Sequence, residues 1–156
     1  YGYDTNAKVN PPLRTAADVA AIKEALRDGT LDAIACDHAP HTSLEKDLEF
    51  EAAAFGLIGL ETSLGLSLKL VHDGVLSLTQ LVAAMSTHPA RILNVPGGTL
   101  APGSPADVTL MDLNREWTVD VKDFKSKSRN CPFHGWTLKG KAVMTIVGGK
   151  VVSGEQ

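Results

Sequence analysis

The sequence predicts a chain of two characters, an α/β segment over residues 1–94 followed by an all-β segment over residues 95–156. Three observations carry this. Apolar residues of the first segment recur at helical spacing, interrupted by one short apolar run that ends in a cluster of acid and imidazole groups. From Val95 the punctuation changes to Pro96-Gly97-Gly98, Pro102-Gly103 and Ser104-Pro105, which are turn formers. Short β-rich runs then follow at 108–111, 117–121, 142–147 and 150–152. The first segment is too short for a complete (β/α)8 barrel, which needs ~250 residues, but it fits the last units of one.

In chain order, Pro11-Pro12 forces an extended backbone. Thr15 stands at an N-cap position with Asp18 three residues on, a capping-box pair. Val19, Ile22 and Leu26 then mark one helical face and Gly29 a stop, which predicts a helix over 16–28. Residues 31–35 are short, apolar and preceded by a turn, so they read as a buried strand. The polar cluster from Asp37 to Thr42 comes directly off its end. After the break at Gly56 to Gly59, a helix is expected over 60–72, ended by Asp73-Gly74. Ser77 and Gln80 form a second capping box and open a helix through about Met85. Thr87 is placed to cap a further short helix, with Pro89 in its tolerant first turn. Gly148-Gly149 reads as a tight hairpin. There is no internal repeat.

The 156 residues carry a formal charge of −3 and are 44% hydrophobic, a balance that excludes a disordered chain. No basic surface interleaved with aromatics points to nucleic acid. The one basic cluster, residues 122–129, reads as a solvated loop. Two cysteines make no disulfide framework, and a reducing compartment fits. The most apolar stretch, residues 52–70, is interrupted by Glu61, Lys69 and small residues, so it predicts buried structure and not a membrane span. The cytoplasm is the expected location. The opening Tyr1-Gly2-Tyr3-Asp4 reads as the middle of a longer sequence.

Chemistry concentrates at Asp37-His38-Ala39-Pro40-His41. Barrel enzymes place catalytic groups at the C-terminal ends of strands, which is where these residues fall. Asp37 can ligate a cation and take a proton from water, or it can simply cap its own turn. His41 can donate hydrogen bonds to an anion, or stand exposed in its loop. For His38 a structural role is expected, its ring bonding nearby backbone. His72 and His134 are assigned no catalytic role. A catalytic zinc takes three protein ligands. The sequence holds no His-x-His pair and no His-Glu-x-x-His motif, so Asp37 alone makes no site.

Lys8-Val9-Asn10-Pro11-Pro12-Leu13-Arg14, Asp37-His38-Ala39-Pro40-His41 and Phe55-Gly56-Leu57-Ile58-Gly59-Leu60-Glu61-Thr62 together resemble dihydroorotases of the long, bacterial type. The match continues through Gly97-Gly98-Thr99-Leu100-Ala101-Pro102-Gly103, Pro132-Phe133-His134-Gly135-Trp136 and Gly148-Gly149-Lys150-Val151, so it covers nearly the whole chain. It implies an α/β fold: the C-terminal part of a metallo-dependent (β/α)8 barrel, then strands of a small β-sandwich domain. It implies a zinc-dependent cyclic amidohydrolase that interconverts dihydroorotate and N-carbamoyl-L-aspartate in pyrimidine biosynthesis. Asp37 would be acid/base and a metal ligand, with two zinc ions in the complete enzyme. Asn10, His41 and the backbone at Phe55 and Gly56 would hold the substrate. Arg14 is read as structural, and Cys36 as a small buried thiol. The other expected ligands have no counterpart here, so the isolated chain is expected to be inactive. A homodimer, or association with aspartate transcarbamoylase, is the partner expectation. Two alternatives stay open: a sister hydantoinase or allantoinase, and a non-catalytic subunit that scaffolds aspartate transcarbamoylase.

Overall fold

The computed structural model describes residues 2–154. Helix α1, Ala16–Asp28, starts as the capping box requires: Thr15 accepts from the Asp18 N–H, and the Asp18 carboxylate accepts from Thr15. Gly29 closes it at φ 83°, where a side chain would be strained. A one-turn helix, α2 (Ser43–Lys46), and the longer α3 (Leu60–His72) follow. Helix α4, Leu78–Val82, opens on the Ser77–Gln80 box.

The predicted cap at Thr87 is not there. A π-helical turn, Ala83–Thr87, joins α4 directly to α5, His88–Leu93. Pro89 offers no N–H and crowds the preceding turn, which a locally widened helix accommodates. The Thr87 hydroxyl instead donates to the Gly98 carbonyl at 3.0 Å, tying the helix to the turn that follows.

Strands β1 (Val108–Thr118), β2 (Thr137–Val147) and β3 (Lys150–Gly154) form one antiparallel sheet in the order β1-β2-β3. The two runs expected at 108–111 and 117–121 are thus largely one strand, irregular between Asp112 and Glu116, where both keep pairing with β2. Gly148 and Gly149 make the β2–β3 turn at φ 55° and 77°, the conformation a two-residue hairpin demands. Among the described residues the layer against this sheet is helix α3. Glycines permit the approach: a Cβ on Gly65 would stand 3.0 Å from Leu138 Cδ1, and one on Gly140 would stand 2.3 Å from Leu68 Cδ1.

Two apolar clusters hold these elements. Ile58 packs with Val119, Phe124, Cys131 and Leu138, and Leu68 packs with Leu76 and Leu81. Each fully buried aliphatic side chain contributes about 1.5–3 kcal/mol relative to exposure. Both clusters recruit residues from either side of Val95.

The expected buried strand at 31–35 is corrected. The segment runs extended but pairs with no strand among the described residues, and Leu31 is 38% exposed. A strand is stable only when neighbours take up its backbone groups. Here its anchors are single bonds: Leu31 N–H donates to the Ala25 carbonyl, Ile34 N–H to the Ala84 carbonyl, and the His88 ring to the Asp32 carbonyl. Cys36, expected to be buried, is exposed, and Cys131 is the buried thiol. The Cys36 sulfur lies over Gly59, 2.7 Å from where a Cβ would stand.

Candidate functional site

Three segments converge on a pocket of about 270 Å³. Asn10 and Pro11 line one side, Asp37 and Ala39 a second, and Phe55, Gly56 and Leu57 the third. Four of the five residues expected at the site from the sequence therefore share one cavity. The fifth, His41, lies behind the wall. A Cβ on Gly56 would stand 3.2 Å from His41 Nε2 and 2.6 Å from Ala39 Cβ, and Gly56 has φ 127°. Only glycine lets the two loops approach this closely.

No sheet holds these loops together; buried polar side chains and a few isolated backbone bonds do. Asn130, 3% exposed, donates from Nδ2 to the Ala39 carbonyl at 2.9 Å and to the Gly56 carbonyl at 3.2 Å. Its Oδ1 accepts from the His41 N–H at 3.2 Å. Its backbone carbonyl accepts from Ile58 N–H, and Ala39 N–H donates to Leu57 across the two loops. His38 has the expected structural role. Its Nδ1 accepts from the N–H groups of Gly59 and Leu60 at 3.3 Å each, capping α3, whose N-cap glycine has no side chain to do so.

Two lysines are buried here, which is unusual without an acid partner. Lys8 donates to the carbonyls of Glu51 and Ala53 at 2.8 and 2.7 Å, and lies 4.4 Å from the Phe55 ring centre. Lys46 donates to the carbonyls of Ala54 and Gly56 at 2.8 and 3.0 Å. Burial, then the charge of Lys8, hold the Lys46 ammonium below the usual lysine range, against a smaller opposing effect of Asp4. The Gly56 N–H is also committed, to the Lys8 carbonyl at 2.9 Å.

At the rim, Glu45 accepts from the Thr42 N–H and hydroxyl at 2.8 Å each and stands 3.6 Å from His41 Nδ1. The Thr42 bonds, chiefly, hold its carboxyl below the usual range. Although Cys36 is exposed, partial desolvation on the side that meets Gly59 pushes its thiol up, helped by Asp37 and Glu61. Arg14 pairs with Asp18 at 3.3 Å, away from the pocket lining, in keeping with the structural reading. The basic loop is anchored where Ser126 N–H donates to Glu61 at 2.9 Å.

Among the described residues no three His, Cys, Asp or Glu side chains gather as a metal cluster. Asp37 by itself does not satisfy the three-ligand requirement of a catalytic zinc, so the residues present do not fit a complete metal centre. Sequence reasoning missed the roles of Lys8, Lys46 and Asn130. A lysine reads as surface by type, and Asn130 reaches loops 74 and 91 residues away in the chain. The only available signal was position. Lys8 opens the Asn-Pro-Pro segment, and Asn130 precedes Cys131-Pro132-Phe133.

The segments that line this pocket, residues 10–11, 37–39 and 55–57, lie within a stretch that matches a known family. The amidohydrolase family model matches residues 6–152, and the chain belongs to that family. Within it, the chain is 64% identical to the dihydroorotase of Geobacter metallireducens over 151 residues, covering 97% of this chain and 36% of that protein. It is 55% identical to the dihydroorotase of Syntrophus aciditrophicus over 150 residues, covering 96% and 35%. Among solved structures it superposes on the L-hydantoinase (dihydropyrimidinase) from Arthrobacter aurescens with TM-score 0.92 and 36% identity, over 99% of this chain and 36% of that one. A D-hydantoinase matches with TM-score 0.87 and 27% identity, over 97% and 34%. The chain thus spans about a third of the length of these relatives.

Proposed function

We propose that this stretch belongs to a dihydroorotase, which opens the ring of dihydroorotate to N-carbamoyl-L-aspartate and closes it again in pyrimidine biosynthesis. The observation that supports it best is the shared pocket of Asn10, Asp37, Phe55 and Gly56, in a chain 64% identical to a dihydroorotase. Asp37 is exposed to the cavity and is the one carboxylate lining it. As acid/base it takes a proton from the attacking water and delivers it to the amide nitrogen as the C–N bond breaks. Asn10 holds the substrate from the opposite side. His41, behind Gly56, contacts it only where the ring reaches past that wall. Because the Gly56 N–H is already donated, the N–H groups of Phe55 and Leu57 on either side of it are the donors this loop offers.

Asp37 is also proposed as one ligand of a zinc pair whose other ligands lie outside residues 2–154. The domain reading goes with it: residues 1–94 as last units of a metallo-barrel, residues 95–156 as part of a β-sandwich. The partner is a small anionic substrate, with a second copy or aspartate transcarbamoylase as macromolecular partners. The apolar face of α1, with Val19 49% and Ile22 53% exposed, is available for such packing. No helix among the described residues is long and apolar enough to cross a membrane, and the cytoplasm is the proposed location.

A hydantoinase is the second reading, favoured by the TM-score of 0.92. Turnover assays of the full-length protein on dihydroorotate, hydantoin and allantoin separate them. Dihydroorotate is expected to lead, and Asp37→Asn to lower its turnover by about 10³-fold with the fold intact. Preference for hydantoin, or an active Asp37→Asn variant, overturns the assignment. Absence of turnover on all three favours a scaffolding subunit. The isolated 156-residue chain is expected to show no turnover, checked in the same assay with zinc added.

A further inference from the structure

Lys8 and Lys46 are 7% and 3% exposed, and among the described residues neither has a carboxylate within ion-pair distance. A buried ammonium without a counter-charge is costly, so its retention asks for a reason. Both donate only to backbone carbonyls of one loop, and that loop is the pocket wall. A trans peptide points its carbonyl and its N–H in opposite directions. Lys46 sits on the carbonyls of Ala54 and Gly56, so the N–H ends of those same peptides, on Phe55 and Leu57, face away from the ammonium. Phe55 and Leu57 both line the cavity. A cation on the carbonyl draws electrons through the peptide and strengthens its N–H as a donor. Lys8 acts on the Glu51 and Ala53 carbonyls, whose peptides carry the N–H groups of Ala52 and Ala54. These are already donated to Glu49 and Glu45, so Lys8 steadies the loop and adds positive charge behind it.

We propose that Lys46, supported by Lys8, sets the specificity of this pocket for a ligand bearing an extra carboxylate, by polarising the Phe55 and Leu57 peptides from behind. The proposal rests on the reading of this cavity as the substrate site. Neither lysine touches the ligand, and both are positioning residues. Two positive charges thus stand behind the wall of a cavity lined by one carboxylate, Asp37, while Asp4 acts on Lys46 from beyond ion-pair distance. In a poorly hydrated wall such charges are weakly screened, so they reach the cavity through the loop.

The test is calorimetric binding of N-carbamoyl-L-aspartate, and of N-carbamoyl-β-alanine, which lacks one carboxylate, to the full-length protein and its variants. In Lys46→Gln the preference for the dicarboxylate is expected to fall about tenfold, and in Lys8→Gln by less, whereas Lys46→Arg keeps it. An unchanged preference in both Gln variants, or equal weakening of both ligands, overturns the proposal. Equal weakening is what a merely structural role would give. If the Gln variants do not fold, the amide proton shifts of Phe55 and Leu57 in the unaltered protein decide. Both should move on titration with N-carbamoyl-L-aspartate, and stationary signals overturn it. A protein that shows the preference yet does not turn over dihydroorotate sinks the proposed reaction and leaves the lysine frame standing.

Discussion

The pocket loops and the C-terminal sheet are held together in opposite ways. β1, β2 and β3 are joined by backbone bonds from strand to strand over most of their shared length, and the side chains are free to vary with burial. Around the pocket there is no ladder. The carbonyls of residues 39, 51, 53, 54 and 56 and the N–H of His41 are taken up by three buried polar side chains, Asn130, Lys8 and Lys46, while isolated backbone bonds serve the N–H groups of Ala39 and Gly56. A ladder spreads its stability over many equivalent bonds. A side-chain scaffold concentrates it in a few residues and leaves the loop surface free for chemistry.

One kind of substitution applied to both regions should show the contrast most strongly. Gly56→Ala puts a Cβ 2.6 Å from Ala39 Cβ at φ 127°. It is expected to cost about 3 kcal/mol or more, because neither loop can retreat without breaking the Asn130 bonds. Gly149→Ala also sits at positive φ, 77°, but its nearest neighbour would be Ala106 Cβ at 3.9 Å. The cost there is about 1–2 kcal/mol, the backbone strain alone. Denaturant unfolding of the two variants checks this, and equal losses would dissolve the comparison.

Asn130→Ala comes next. It strands the Ala39 carbonyl and the His41 N–H and leaves the Gly56 carbonyl to Lys46 alone, for about 2–3 kcal/mol. Amide exchange sharpens the point: His41 and Ala39 should exchange faster while the β1–β2 amides keep their protection. Uniform acceleration would mean that the loops are not a separately held unit.

The smallest effect is in pH. The Glu45 carboxyl is held below its ordinary 4.5 by the Thr42 bonds. Its folded value is the lower one, so its stabilisation is present above the ordinary value and is lost as pH falls through the folded one. The Thr42 amide shift should titrate over that acid window, while amides of β2 stay still.

Much of the local structure was legible. Thr15 with Asp18, and Ser77 with Gln80, announced two helix starts, and Gly148-Gly149 a hairpin, because caps and turns are contacts between near neighbours. The site was legible in part. Asp37, Asn10, Phe55 and Gly56 were singled out and share a cavity, while His41 stands behind its wall. Residues 31–35 went wrong because a strand is a property of the pair, and no partner strand is present among the described residues. Thr87 went wrong because a π-turn depends on how Pro89 fits against the turn before it.

The sequence by itself determined the capped helices, the glycine turns and the residue types that can do acid/base chemistry, since these rest on backbone sterics and on bonds spanning a few residues. Only the tertiary structure decided which loops face one another, that two lysines are buried behind one of them, and that Asn130 ties both together. Those facts come from desolvated contacts between positions up to 91 residues apart, and no local pattern encodes a partner at that distance.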